Sequence, residues 1–258
     1  MRVVSANLNG IRAAAKKGFF DWMVNNKPDV VCIQETKAQE YQLDDEVFFP
    51  KGYYRYFFDA EKKGYSGTAI YSRIEPDQVS TGLGWAHADT EGRWIEAQFG
   101  KLTVASLYLP SGSSSEERQQ NKLIFMDRLR EDMQAMRRKR REFIICGDWN
   151  TIHKEIDIRN FKSNQKTSGC TPVEREWIDN VFEQDGWVDA FRAVNQEADQ
   201  YTWWSNRGQA WAKNVGWRID YQIITPGLKD SVQSTAIYKD ERFSDHAPLI
   251  IDYDYKLG

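Results

Sequence analysis

The run Phe143-Ile144-Ile145-Cys146 stops abruptly at Gly147-Asp148-Trp149-Asn150, and Arg140-Arg141-Glu142 bounds it on the other side. Four consecutive apolar residues between such boundaries suit a buried strand covered on both faces, where every side chain is packed and hydrophobic alternation disappears. Gly147 is expected to let the chain turn as it leaves the sheet. Asp148 and Asn150 lie two residues apart, so extended backbone points both to the same side and offers a proton acceptor and an amide donor at one spot. Taken alone, the same four residues also suit an Asx-rich turn after a strand.

The pattern of an apolar strand running into a polar tip recurs along the chain. Val3-Val4-Ser5-Ala6 leads into Asn7-Leu8-Asn9-Gly10, and Val30-Val31-Cys32-Ile33 leads into Gln34-Glu35-Thr36. Residues 92–99 and 102–108 read as a hairpin around Gly100-Lys101 that ends in Tyr108-Leu109-Pro110-Ser111. Arg218-Ile219-Asp220-Tyr221-Gln222-Ile223-Ile224 is a further strand, and Phe243-Ser244-Asp245-His246 precedes a closing strand from Leu249 to Tyr253. Between them, Leu123, Phe125, Met126, Leu129, Met133 and Met136 recur at helical spacing, which predicts a long amphipathic helix over residues 116–139. Thr171-Pro172-Val173-Glu174 is a helix start with threonine as N-cap, proline at N1 and glutamate at N3. Residues 157–170, rich in Asn, Lys and Ser, read as a long binding loop.

No linker, repeat or low-complexity tract interrupts the 258 residues, so one large α/β domain over 1–258 is expected. The absence of a signal-peptide core and of any membrane-spanning apolar run predicts a soluble, cytoplasmic protein without a membrane partner. Cys32, Cys146 and Cys170 lack CxxC spacing, and the first two sit in apolar runs, which predicts buried reduced thiols. With 35 basic against 38 acidic residues there is no whole-protein basic field. The block Arg137-Arg138-Lys139-Arg140-Arg141 suits a solvated helix end as well as a phosphate-binding patch. Trp203, Trp204, Trp211 and Trp217 cluster in one stretch, which suits core packing and also stacking on a sugar or base.

Asn7, Glu35, Tyr108, Asp148, Asn150, Asp220, Asp245 and His246 are polar tips of separate strands, and strands packed side by side would bring them to one edge of a sandwich. Such a set suits a metal-assisted phosphodiesterase: hard carboxylates hold Mg²⁺, a carboxylate orients water, and neutral donors bind developing negative charge.

With Asn7-Leu8-Asn9-Gly10, Gln34-Glu35-Thr36-Lys37, Gly64-Tyr65-Ser66-Gly67, Glu91-Gly92-Arg93, Tyr108-Leu109-Pro110, Gly147-Asp148-Trp149-Asn150, Gly216-Trp217-Arg218-Ile219-Asp220-Tyr221 and Ser244-Asp245-His246-Ala247-Pro248 in that order, the sequence resembles the exonuclease III-type apurinic/apyrimidinic (AP) endonucleases of the endonuclease/exonuclease/phosphatase superfamily. The resemblance implies a four-layer α/β sandwich, two mixed β-sheets flanked by helices. It implies AP endonuclease and 3′-5′ exonuclease activity on duplex DNA with abasic sites or 3′ ends, with Mg²⁺ as cofactor and Mn²⁺ as a substitute. By the same resemblance Glu35 is the principal metal ligand, with Asn9 and Asp245 nearby. Asp148 would orient or deprotonate the attacking water, or protonate the leaving oxygen. Asn7, Asn150 and Tyr108 would hold the scissile phosphate, and His246 paired with Asp220 would contact its nonbridging oxygen. Trp203, Trp217 and Ile219 would line a pocket for a base-free deoxyribose, Asn164 would lie on a DNA-contacting loop, and Ser111 stands where many members carry a longer amide.

A second resemblance runs through Ala13-Ala14-Ala15, Leu43-Asp44-Asp45, Phe125-Met126-Asp127, the 137–142 basic stretch, residues 222–228 and the ending Ile251-Asp252-Tyr253-Asp254-Tyr255. These are similar to the catabolite repression control proteins, which implies a regulator acting with an RNA-bound Hfq chaperone. The catalytic residue types are nonetheless all in place in this chain.

Overall fold

The strands form where both faces are covered, and consecutive side chains feed two different cores. In the computed structural model, which describes residues 1–257, Ile144 and Cys146 enter one apolar cluster while Phe143 and Ile145 enter another. Val30 and Cys32 likewise join the first cluster, and Val31 and Ile33 a third. Runs without alternation are the consequence of this two-sided burial.

In chain order the strands are β1 (Arg2–Asn7), β2 (Val30–Gln34), β3 (Tyr54–Phe58), β4 (Thr68–Ser72), β5 (Gln78–Thr81), β6 (Trp94–Phe99) and β7 (Leu102–Tyr108). They continue with β8 (Glu142–Asp148), β9 (Val188–Asp189), β10 (Trp203–Trp204), β11 (Gly216–Trp217), β12 (Asp220–Ile224), β13 (Val232–Ile237) and β14 (Leu249–Tyr253). Two six-stranded mixed sheets result, ordered β13-β14-β1-β2-β4-β3 and β5-β6-β7-β8-β12-β9, and β10 pairs with β11 separately. The sheets face each other across the first cluster. Helices Ile11–Lys16 and Phe19–Asn26 cover the outer face of one, and helices Glu116–Arg137 and Pro172–Glu183 the outer face of the other. This is the expected four-layer α/β sandwich. The long helix stops at Arg137, two residues earlier than its periodicity suggested, and the 157–170 loop contains a short helix, Phe161–Asn164. All three cysteines are free and buried. Among the described residues no helix is long and apolar enough to cross a membrane.

Polar side chains stitch the two sheets together. Gln222 on β12 donates to the Val3 and Leu249 carbonyls of the other sheet at 3.0 and 3.2 Å, and Tyr253 donates to Gln222 at 2.9 Å. Ser106 on β7 donates to the Ile33 carbonyl at 2.9 Å and accepts from Gln34 at 2.9 Å. Each buried group left without a partner would cost roughly 1–3 kcal/mol, so these bonds resist sliding of one sheet over the other.

Gly147 has a different task from the exit turn expected of it. It lies inside β8, paired with Leu107 on one side and Tyr221 on the other. A Cβ there would sit 2.3 Å from the Leu107 carbonyl oxygen, so glycine is required by the close approach of β7. Gly147→Ala is expected to lower stability by about 2 kcal/mol, the scale of overpacking a tight interior. Equilibrium unfolding in urea measures this, and an unchanged midpoint would refute it.

Candidate active site

Strand pairing brings the polar tips to one edge. β1 and β2 run parallel with Asn7 beside Gln34, so Glu35 follows one residue beyond the tip of β1. Tyr108, Asp148 and Asp220 are in register across β7, β8 and β12. β14 is antiparallel to β1, with Leu249 opposite Ser5, so Asp245 and His246 arrive at the same edge just before β14 begins.

The backbone leaves these strands in a conformation that side chains resist. Asn9, Glu35, Lys37 and Asn150 have φ of 46°, 52°, 49° and 48°. Left-handed backbone at non-glycine residues costs on the order of 1 kcal/mol or more each and persists only where the surroundings impose it. Extended backbone is therefore not what unites Asp148 and Asn150. A turn does so instead: the Asn150 amide donates to Asp148 Oδ1 at 2.8 Å and its carboxamide to Oδ2 at 3.2 Å.

Asp148 is the centre of the cluster. Its Oδ2 also accepts from Asn7 Nδ2 at 2.9 Å, and His246 Nε2 lies 3.9 Å away. His246 Nδ1 bonds Asp220 Oδ2 at 2.9 Å. Burial pushes the Asp148 carboxyl up to about 7 against the opposing charge of His246. Burial acts downward on His246, but Asp220 and Asp148 outweigh it and raise the imidazole to about 10. The group thus retains protons to higher pH than its members would alone.

A second cluster adjoins it. Asn7 Nδ2 also donates to Glu35 Oε1 at 3.2 Å, which makes this carboxamide the link between the two carboxylates. Lys37 Nζ lies 2.6 Å from Glu35 Oε2 and 2.5 Å from Asn9 Oδ1. Asn9 Nδ2 donates to Asp245 Oδ1 at 2.9 Å, and Trp203 Nε1 to Asp245 Oδ2 at 3.0 Å. Burial favours the neutral acids, yet Lys37 holds Glu35 below the ordinary carboxylate value, and His246, Asn9 and Trp203 do the same for Asp245. Two ionised acids thus lie on either side of Asn9, Glu35 through Lys37 and Asp245 directly.

A profile of the Endonuclease/Exonuclease/phosphatase family matches residues 4–246. The chain belongs to this family. An exodeoxyribonuclease of Bacillus subtilis (strain 168) is 38% identical over 251 residues, 96% of this chain and 98% of that protein. A DNA-(apurinic or apyrimidinic site) endonuclease of Dictyostelium discoideum is 34% identical over 260 residues, 98% of this chain and 71% of that protein. The solved structure of an AP endonuclease from Archaeoglobus fulgidus matches with a TM-score of 0.89 at 29% identity, over 99% of this chain and 100% of that one. This member of the Endonuclease/Exonuclease/phosphatase family is a nuclease. The likeness to catabolite repression control proteins gains no support from these relatives. The basic block that partly carried it precedes β8 at the end opposite Asp148, about 20 Å away along the strand.

Other expected residues divide into two groups. Trp203 and Trp217 pair across β10 and β11 with ring centroids 6.1 Å apart, and both pack against Ile219, Ile152 and Cys170. Its bond to Asp245 joins Trp203 to the polar edge. Ser111 bonds Ser113 at 3.0 Å, and Asn164 donates to the Asn160 carbonyl at 2.7 Å, so both are engaged within their own loops rather than with the cluster. Lys37 was overlooked, although its place two residues after Glu35 repeats the spacing of Asn7 with Asn9 and of Asp148 with Asn150.

Behind the aromatic cluster lies a sealed ionic network. Asp157, 1% exposed, accepts from Arg218 Nε and Arg192 Nη2, each at 2.8 Å, while Arg218 Nη2 bonds Asp189 at 2.7 Å. Burial would raise the Asp157 carboxyl, but Arg218 and Arg192 outweigh it and hold it at about 2. An acid depressed below its unfolded value stabilises the fold above that value and loses the contribution as pH falls toward the folded one. About 2 kcal/mol of stability is therefore expected to disappear between roughly pH 4 and pH 2. Denaturant titrations of wild type and Asp157→Asn at pH 5 and pH 3 check this: the wild type should lose more stability than the variant, and equal losses would refute it.

Proposed function

We propose that the chain is a Mg²⁺-dependent DNA phosphodiesterase that incises at abasic sites and removes nucleotides from 3′ ends. The observation that carries this reading is Asp148, held between Asn7, Asn150 and the His246–Asp220 pair, beside a second carboxylate cluster at the same edge.

Glu35, Asn9 and Asp245 would hold the ion. Glu35 and Asn9 oxygens already meet the Lys37 ammonium, whose charge stands in for a cation, Asp245 is tied to the same Asn9 carboxamide, and hard divalent ions prefer such oxygen donors. The ligand atoms of Asp148, Asp220 and His246 also lie within 4.8 Å of one another, but the imidazole is committed to Asp220 and suits a hard ion less. When bound, the ion supplies positive charge to the scissile phosphate and acidity to water.

The remaining roles fall to the protein's own groups. A carboxyl at about 7 is matched to exchanging protons near neutral pH, so Asp148 serves the proton transfers of attack or departure. His246, oriented by Asp220, presents a cation to a nonbridging oxygen. Burial, with the Glu35 charge beside it, pushes the Tyr108 phenol well above its ordinary value, so Tyr108 remains a donor. Asn7 and Asn150 add neutral amide donors to the same phosphate. Trp203, Trp217 and Ile219 form the apolar wall for a base-free deoxyribose, and Ser111 and Asn164 reach DNA from flanking loops.

Asp148→Asn keeps volume and removes the proton acceptor, so kcat on abasic duplex should fall by about 10²- to 10⁴-fold. Retention of the wild-type rate in this variant, or undiminished wild-type cleavage in excess EDTA, would eliminate the mechanism. Trp217→Ala should impair abasic incision more than removal of normal 3′ nucleotides, since the flipped-out sugar loses its wall. Paired assays on the two substrates decide, and equal losses would count against a sugar-selecting pocket.

A further inference from the structure

Lys122 sits at 0% exposure on the Glu116–Arg137 helix, and none of the roles above uses it. Its ammonium donates to Glu174 Oε1 at 2.5 Å and to the backbone carbonyl of Asn150 at 2.7 Å. Glu174, also 0% exposed, accepts from the Gly169 amide at 2.9 and 2.8 Å through its two oxygens, from the Thr171 amide at 3.2 Å and from the Thr171 hydroxyl at 2.5 Å. One ion pair therefore joins four segments: the long helix, the turn after β8, the end of the 157–170 loop and the start of the Pro172–Glu183 helix.

Burying both charges sacrifices their hydration, and apolar residues of similar size often give equal or greater stability. Stability alone is thus a weak reason for such a pair here. Its geometry supplies another. Asn150 is a left-handed residue, and its amide and carboxamide both bond Asp148, while the carboxamide also donates to the Leu109 carbonyl at 2.8 Å. Lys122 grips the third polar group of the same residue, its carbonyl. Gly169 packs closely against that carbonyl as well, since a Cβ there would lie 2.6 Å from the Asn150 oxygen. The Gly169 carbonyl accepts from Ile152 at 2.8 Å, which closes the turn.

We propose that Lys122 and Glu174 are positioning residues, an internal clamp that fixes the Asn150 turn and so aims the Asn150 carboxamide and Asp148. The catalytic consequence rests on the nuclease reading above, whereas the clamp itself does not.

The test is the double variant Lys122→Met/Glu174→Gln, which removes both charges together and leaves no unpaired buried ion. Its kcat on abasic duplex with Mg²⁺ should fall by about 10- to 100-fold, the scale of a slightly misplaced catalytic group, with KM changed less than about threefold. Amide hydrogen exchange at residues 149–152 should quicken while the sheet strands stay protected. If the double variant does not fold, Lys122→Gln/Glu174→Gln, which keeps a polar group at both positions and still leaves no buried charge unpaired, is read in the same way. A folded variant with wild-type kcat overturns the catalytic role, and unchanged exchange at 149–152 overturns the clamp. If the wild type cleaves no DNA under these conditions, the nuclease reading falls, and the exchange measurement alone still decides whether the clamp exists.

Discussion

The hydrogen bond from Asn7 to Asp148 crosses from one sheet to the other, and it can form only where the two sheets are held in one alignment. Asn7 ends β1 in the first sheet, and Asp148 ends β8 in the second. Apolar packing between the sheets is strong but without direction, and it would tolerate small slippage. The buried bonds of Gln222, Tyr253, Ser106 and Gln34 do not, because each needs a particular partner across the interface. Hydrophobic burial thus supplies cohesion, and a few polar stitches supply the alignment on which the two carboxylate clusters depend.

Charges around the site fall into two populations with different physical status. Asp157 with Arg218, and Lys122 with Glu174, are sealed from water and answered by charged partners, so separating them would strand a buried ion. Glu35, Asp148 and Asp245 are answered by side-chain amides, an indole, the half-exposed Lys37 ammonium and the His246 imidazole. Such partners can be traded for water, phosphate or a cation at small cost. A rigid ionic frame therefore backs a cluster whose own bonds are exchangeable, as a site must be if it is to be stable when empty and reactive when filled.

Most of the sheet architecture was legible because two-sided burial leaves unbroken apolar runs with polar tips, as in residues 30–35 and 143–150. The Thr171-Pro172-Val173-Glu174 start was legible too, and its capping box forms. What escaped notice depends on partners distant in sequence. Lys122 looks like a solvated residue in a polar helix until Glu174 closes on it from 52 positions away. Asp157 looks like the beginning of a polar loop until Arg218 reaches it from 61 positions away. Local periodicity carries no information about either pairing. Gly147 misled for a related reason: its constraint is the Leu107 carbonyl of a neighbouring strand, not its own place before a turn.

The sequence pattern Asp148-Trp149-Asn150 admitted two readings, an ordinary Asx turn or a pair of polar groups converging at one spot, and the geometry makes them one. In an Asx turn the side-chain oxygen accepts from the amide two residues on, mimicking a backbone turn. Asp148 Oδ1 does this with the Asn150 amide at 2.8 Å, and Asn7 Oδ1 does it with the Asn9 amide at 2.9 Å. Each turn throws its last residue into left-handed backbone; the Asn150 side chain folds back onto Asp148, and the Asn9 side chain reaches Asp245 and Lys37. Chain reversal and site assembly are thus the same event at both strand ends. Using one oxygen to make the turn leaves the rest of each first side chain facing the open edge: Asp148 Oδ2 toward His246, and Asn7 Nδ2 between Glu35 and Asp148. The modest local motif is what allows two short strand tips, one from each sheet, to deliver four polar side chains to two adjoining clusters that Asn7 links.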